Sequence, residues 1–109
     1  MDHAGTTREV ARELTTAEDA VDAALAQAVR LMRQVMEARR ALGLPAGADE
    51  PAMKNVVAAV SALGEAQQAM IRAHRALHDL HRRHDLPAVD FGPLIKPGED
   101  ARDTERRAG

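Results

Sequence analysis

Between Leu14 and Leu42 the apolar residues recur alternately four and three positions apart, with interruptions only at Glu18 and Arg39. This heptad-like spacing is typical of a helix whose apolar stripe packs along a nearly parallel neighbouring helix. The pattern therefore predicts a long amphipathic helix in the first half of the chain.

Two pairs of residues have the spacing of a helix-capping box and could mark the start of this helix. They are Thr6 with Glu9 and Thr15 with Glu18, in which a threonine precedes a glutamate by three positions. In such a box each side chain binds the backbone N–H of the other residue. We expect the helix to start near one of these pairs and to cover about residues 7–42.

A short segment rich in proline and glycine separates this helix from a second one. Gly43 can adopt the left-handed conformation that ends a helix, and Pro45 prevents its continuation. Asp49 is a suitable N-cap, with Pro51 in the following first turn. We predict a second helix over about residues 51–84, and the short loop predicts that the two helices run antiparallel.

The segment 56–63, with the sequence VVAAVSAL, is apolar on nearly every side of the second helix. A helix that is apolar all round is buried all round, and a single neighbouring helix cannot cover it. We therefore predict an all-α protein, with an antiparallel two-helix hairpin in a domain of residues 1–87 that dimerises into a four-helix bundle. The residues predicted to form the dimer interface are Val56, Val57, Val60, Leu63 and Gly64.

The composition strengthens the expectation of self-association. Hydrophobic residues make up 45% of the 109 residues, but about half of them are alanine and Phe91 is the only aromatic residue. Alanine favours helices and fills a core poorly. A monomeric hairpin of this kind would bury too little area to offset a backbone entropy cost of about 1–2 kcal/mol per residue, and small proteins often solve this by oligomerising.

Residues 88–109 are predicted to form an extended, partly disordered tail. Its first part is apolar and rich in proline, whereas its last ten residues are mostly charged. We expect residues 86–97 to be ordered and residues 100–109 to be disordered. The apolar side chains could fold back over the end of the bundle, or they could dock on another protein. The candidate docking residues are Phe91, Leu94 and Ile95.

Four histidines follow one another near the end of the second helix, at positions 74, 78, 81 and 84. Residues three and four positions apart share a helix face, so His74, His78 and His81 could converge. Imidazole is a common ligand of zinc, nickel and copper, which makes these three the candidate metal ligands. The alternative is that they are edge residues near a helix C-terminus, where positive charge is favourable.

Motifs of other chemistries are missing from the sequence. The only serine, Ser61, lies within the most apolar stretch, and there is no glycine-rich phosphate loop. The paired Glu-x-x-His motifs of di-iron bundles are also missing. We expect no enzyme activity and no cofactor. A net charge of −2 gives no electrostatic reason to expect a nucleic-acid partner.

The chain has no cysteine, which favours a reducing cytoplasmic location. No apolar run approaches the roughly 20 residues that a membrane span requires, and the first residues do not resemble a signal peptide. The sequence thus predicts a homo-oligomeric, non-catalytic protein-binding, adaptor or scaffolding module. It could also capture another protein through its C-terminal segment. The alternative function is transition-metal binding or sensing through the histidines.

Overall fold

The part of the chain that the structure describes is all-helical. This computed structural model describes residues 3–87 and 91–92, which contain two helices and no strand. Helix α1 is His3–Ala41 with 39 residues, and helix α2 is Glu50–Arg83 with 34 residues. The predicted all-α class with two long helices is confirmed. Neither helix has an apolar stretch long enough to cross a membrane, as judged over the described residues.

Helix α1 begins at His3, so the prediction that a capping box starts it near Thr6 or Thr15 is wrong. Both residues lie inside the helix, and the Thr15 hydroxyl donates to the carbonyl of Ala11 at 3.1 Å. The hydroxyl of Thr7 similarly donates to the carbonyl of Ala4 at 3.0 Å. A threonine can cap a helix or bond back to the preceding turn, and capping-box spacing alone does not distinguish the two.

Local signals correctly mark the loop between the helices. Gly43 has a φ of 66° and its N–H donates to the carbonyl of Arg40, while the next N–H donates to the carbonyl of Arg39. These are the two hydrogen bonds of a Schellman C-cap. Asp49 directly precedes α2 and accepts the first helical hydrogen bond, from Met53, with Pro51 in the first turn as predicted.

The chain divides into two compact units, and each helix contributes to both. The loop unit is Thr16–Met70, which contains the interhelical loop. The terminal unit consists of Met1–Thr15 and Ile71–Gly109. The predicted domain boundary after residue 87 falls at a gap in the described residues, so that boundary stays a prediction.

Within the loop unit, one side-chain contact joins α1 to α2, and a second joins α1 to the residue that precedes α2. The amide Nε2 of Gln67 donates to Oδ1 of Asp22 at 2.9 Å. Near the loop, Nε of Arg39 lies 3.7 Å from Oδ1 of Asp49, and both side chains are largely buried. The sequence separation of the two partners falls from 45 residues in the first contact to 10 in the second, as expected of an antiparallel hairpin. Val29 follows Asp22 by seven residues, and Val60 precedes Gln67 by seven. Because the helices run antiparallel, Val29 and Val60 lie at the same level.

The terminal unit contains all the buried residues of the described chain. Three of them lie on one face of α1, two on α2, and one in the segment after α2. They are Thr7, Ala11, Leu14, His74, His81 and Phe91. In the loop unit no residue reaches this degree of burial, and its apolar side chains are half-buried or exposed.

Candidate functional site

The predicted interface residues lie in the loop unit and remain partly open to solvent. Val56, Val60 and Leu63 are half-buried, as expected of side chains beside α1. Val57 is 48% exposed. Helix α1 adds three large apolar side chains that are also exposed. These are Val29, Leu31 and Met36.

Helix geometry assigns these exposed side chains to two sides of the hairpin. Val29 follows the half-buried Ala28, and Val57 follows the half-buried Val56, so each is rotated about 100° from the contact seam. Because the helices run antiparallel, the same rotation brings both to the same side. Leu31 precedes the half-buried Met32 and therefore lies on the opposite side.

Seven residues span almost two helical turns, so residues seven positions apart lie on the same side of a helix. Met36 therefore lies on the side of Val29, and Gly64 lies on the side of Val57. We name this surface the loop-unit face, with Val29, Met36, Val57 and Gly64 as its members. The half-buried Val60 lies beside them on α2. The loop-unit face is thus an apolar surface with contributions from both helices.

Gly64 lies on this surface at a position where contacts within its own chain do not require a glycine. A Cβ atom added at Gly64 would meet nothing within 4 Å. Packing of α1 on α2 therefore does not require a glycine here, although glycine in a helix costs about 1 kcal/mol relative to alanine. The space above Gly64 is open on the side that Val57 shares.

The three candidate metal ligands lie together in the terminal unit, around the ring of Phe91. The Phe91 centroid is 6.2 Å from that of His74, 6.3 Å from that of His78 and 4.7 Å from that of His81. All three contacts are edge-on. Such T-shaped pairs bring the positive edge of one ring to the negative face of another. Phe91 is only 5% exposed, so this contact holds the segment after α2 against the helix.

His81 holds a buried ring nitrogen in this cluster. Its Nδ1 lies 3.0 Å from the carbonyl of Leu77, while its Nε2 is buried without a hydrogen-bond partner among the described residues. His81 also lines an open apolar cavity of about 230 Å³, together with Val10, Leu80 and Leu86. The other lining residues are His3, Thr6, Thr7 and Leu77, so aliphatic side chains form half of the lining, and the cavity offers mainly shape and apolar contact.

The arrangement favours packing over metal ligation at these histidines. Zinc would require its nitrogen ligands about 2.0–2.1 Å from one point, whereas here the imidazoles share a phenyl ring as their neighbour. Among the described residues no group of three or more His, Asp or Glu side chains is placed to hold a metal ion. Metal binding stays a prediction that a zinc titration of the protein would test.

Of the candidate docking residues, Phe91 alone is described, and it is buried against its own chain. Leu94 and Ile95 lie outside the described residues, as does most of the predicted tail.

Known protein families, characterised proteins and solved structures yield no match to this chain.

Sequence reasoning missed two parts of these surfaces. It assigned the interface to α2 alone, although Val29 and Met36 of α1 share the loop-unit face. Their seven-residue spacing was the available signal. It also placed the histidines on one face of α2 without identifying Phe91 as their common neighbour. Phe91 meets them because the chain turns back after α2, and no local sequence pattern predicts that contact.

Proposed function

We propose that this protein is a non-catalytic assembly module in which two copies pair through their loop-unit faces into a four-helix bundle. In this role it acts as an adaptor or scaffold. The observation that carries the proposal is the burial pattern: the loop unit has no buried residue in the described chain, yet its apolar residues recur with heptad-like spacing. We also propose a cytoplasmic location, in keeping with a chain that has no cysteine.

The apolar side chains of the loop-unit face could bury more area than a single copy allows. Removing apolar area from water stabilises by about 25 cal/mol per Å². In a single copy, each of Val29, Met36 and Val57 keeps a substantial part of that area in water. A second copy packed on the same face would bury these side chains and cover the half-buried Val60 beside them.

The open space at Gly64 supports the same proposal. A glycine lets the backbones of two helices approach closely, and it weakens an isolated helix. Since no part of its own chain occupies that space, a helix of the second copy is the proposed occupant.

Val57→Glu tests the proposal, and Leu31→Glu is its matched control. The two positions are 48% and 49% exposed, so neither change removes a side chain from the interior of the single chain. Glutamate is also a better helix former than valine, which keeps α2 intact. Val57→Glu should abolish self-association because a carboxylate buried in an apolar interface is costly.

Leu31→Glu lies on the opposite side of the hairpin and should leave self-association unchanged. Light scattering of both variants gives their masses, and circular dichroism checks that both remain helical. Equal self-association of Val57→Glu and the wild-type chain would contradict the proposed interface. Loss of association in Leu31→Glu alone would assign the interface to the other side.

A further inference from the structure

The two helices of the terminal unit leave an apolar groove on one side. The open cavity of about 230 Å³ adjoins a second one of about 340 Å³, and the two share Val10 and Leu77 in their linings. Val10 and Leu80 are 38% and 39% exposed, so both keep apolar area in water. We name the joined cavities the terminal groove, which follows α1 from His3 to Leu14.

The terminal groove has the length of a short helix and offers mainly apolar contact. At 1.5 Å per residue, its extent along α1 is about 16 Å, or three helical turns. Two of its polar side chains bond to their own backbone. The hydroxyl of Thr7 donates to the carbonyl of Ala4, and Nδ1 of His81 lies 3.0 Å from the carbonyl of Leu77. Amphipathic helices bind in grooves of this kind through side chains about one turn apart.

The charged residues in the described lining of the terminal groove are two exposed glutamates of α1, Glu9 and Glu13. Glu9 lies 3.8 Å from Arg12, and both side chains are about 70% exposed, so this ion pair is weak. Glu13 forms no ion pair within the part of the chain that the structure describes. Both carboxylates therefore remain available to a basic partner.

Helix α2 has its nearest basic residues towards the two ends of the terminal groove. Arg83 follows Leu80 by three residues and Arg72 precedes Leu77 by five, and neither belongs to the described lining. Between them Ala76 precedes Leu80 by four residues and so shares its side of α2. The charge along the middle of the groove is therefore negative and comes from α1.

We infer that the terminal groove binds an amphipathic helix of another protein, with an apolar stripe against Val10, Leu77 and Leu80. The edge of this helix that faces Glu9 and Glu13 carries lysine or arginine. Apolar contact provides the affinity, and the complementary charges speed association and set the orientation. The inference rests on the adaptor role in the proposed function, to which it gives a class of partner, and does not depend on the loop-unit face.

Two synthetic peptides test this inference on the full chain. One is an amphipathic helix of leucine and lysine about four turns long, and the other has glutamate in place of every lysine. Isothermal titration calorimetry should give a Kd in the micromolar range for the lysine peptide, and a Kd at least about tenfold higher for the glutamate peptide.

Two substitutions in the terminal groove have matched controls in the loop unit. Leu80→Gln should weaken binding of the lysine peptide about tenfold by removing an apolar contact, whereas Leu31→Gln, at a position with 49% exposure, should not. Glu13→Lys should weaken it about fivefold by reversing a charge. Glu65→Lys makes the same change at an exposed position of α2 and should leave binding unchanged.

Light scattering of the same proteins without peptide distinguishes failure of this inference from failure of the proposed self-association. A monomer that binds the lysine peptide as described would contradict self-association and support the groove. A dimer that does not bind the peptide would overturn this inference alone. Equal binding of the two peptides, or unchanged binding in Leu80→Gln and Glu13→Lys, would also overturn it.

Discussion

Two residues in the left-handed backbone conformation end the two helices in the same manner. After α1 this residue is Gly43, with a φ of 66°, and after α2 it is Asp85, with a φ of 52°. The N–H of Asp85 donates to the carbonyl of Arg82, and the N–H of Leu86 donates to that of His81. The second helix therefore uses the hydrogen bonds of a Schellman cap without its usual glycine.

Asp85→Gly should stabilise the protein by about 0.5–1 kcal/mol. The left-handed conformation costs a residue with a Cβ atom about 1 kcal/mol, and a negative charge at a helix C-terminus opposes the helix dipole. Urea denaturation followed by circular dichroism measures the free energy of unfolding. Asp85→Ala is the matched control, because it removes the charge and keeps the Cβ atom, and it should give a smaller gain. A loss of stability in Asp85→Gly would show that the carboxylate itself is needed.

At the scale of elements, the helices and their loop were predictable where the signal is local. Gly43, Pro45 and Asp49 each act through their own backbone conformation or through the adjacent turn. The start of α1 was not predictable in this way. The hydroxyl of Thr15 bonds within the helix, and its sequence spacing is the same as that of a capping residue.

Among the described residues after α2, Phe91 is the buried one, and its ring contacts three histidines of α2. Phe91→Ala should destabilise the protein by about 3 kcal/mol, since it removes a buried aromatic ring and leaves a cavity against three imidazoles. The chain has no Trp or Tyr, so circular dichroism is the suitable probe of thermal and urea unfolding.

Leu42→Ala is the control for this change. Leu42 is among the exposed large apolar residues, and its truncation should alter stability by less than about 0.5 kcal/mol. Equal stability of Phe91→Ala and the wild-type chain would mean that the Phe91 contact contributes nothing to the fold. The sequence left folding back and docking as alternatives for this residue, because both use an apolar side chain and differ only in where its neighbours come from.

At the scale of the whole molecule, the chain distributes burial unevenly along its helices. The buried residues of the described chain belong to the terminal unit, whereas the loop unit keeps large apolar side chains such as Val57 in water. The apolar stretch at 56–63 predicted that apolar side chains of the loop unit stay incompletely buried, since one neighbouring helix cannot cover a helix that is apolar all round. Which side of the hairpin carries the surface became clear only from the burial of its neighbours.

This uneven burial makes self-association the central claim of the account. Sedimentation equilibrium of the full-length wild-type chain at micromolar concentrations tests it most directly, because the method reports mass without a label or a substitution. We expect a mass twice that of the single chain, which is 11.8 kDa, with dissociation on dilution. A mass of 11.8 kDa that stays constant over the whole concentration range would contradict it.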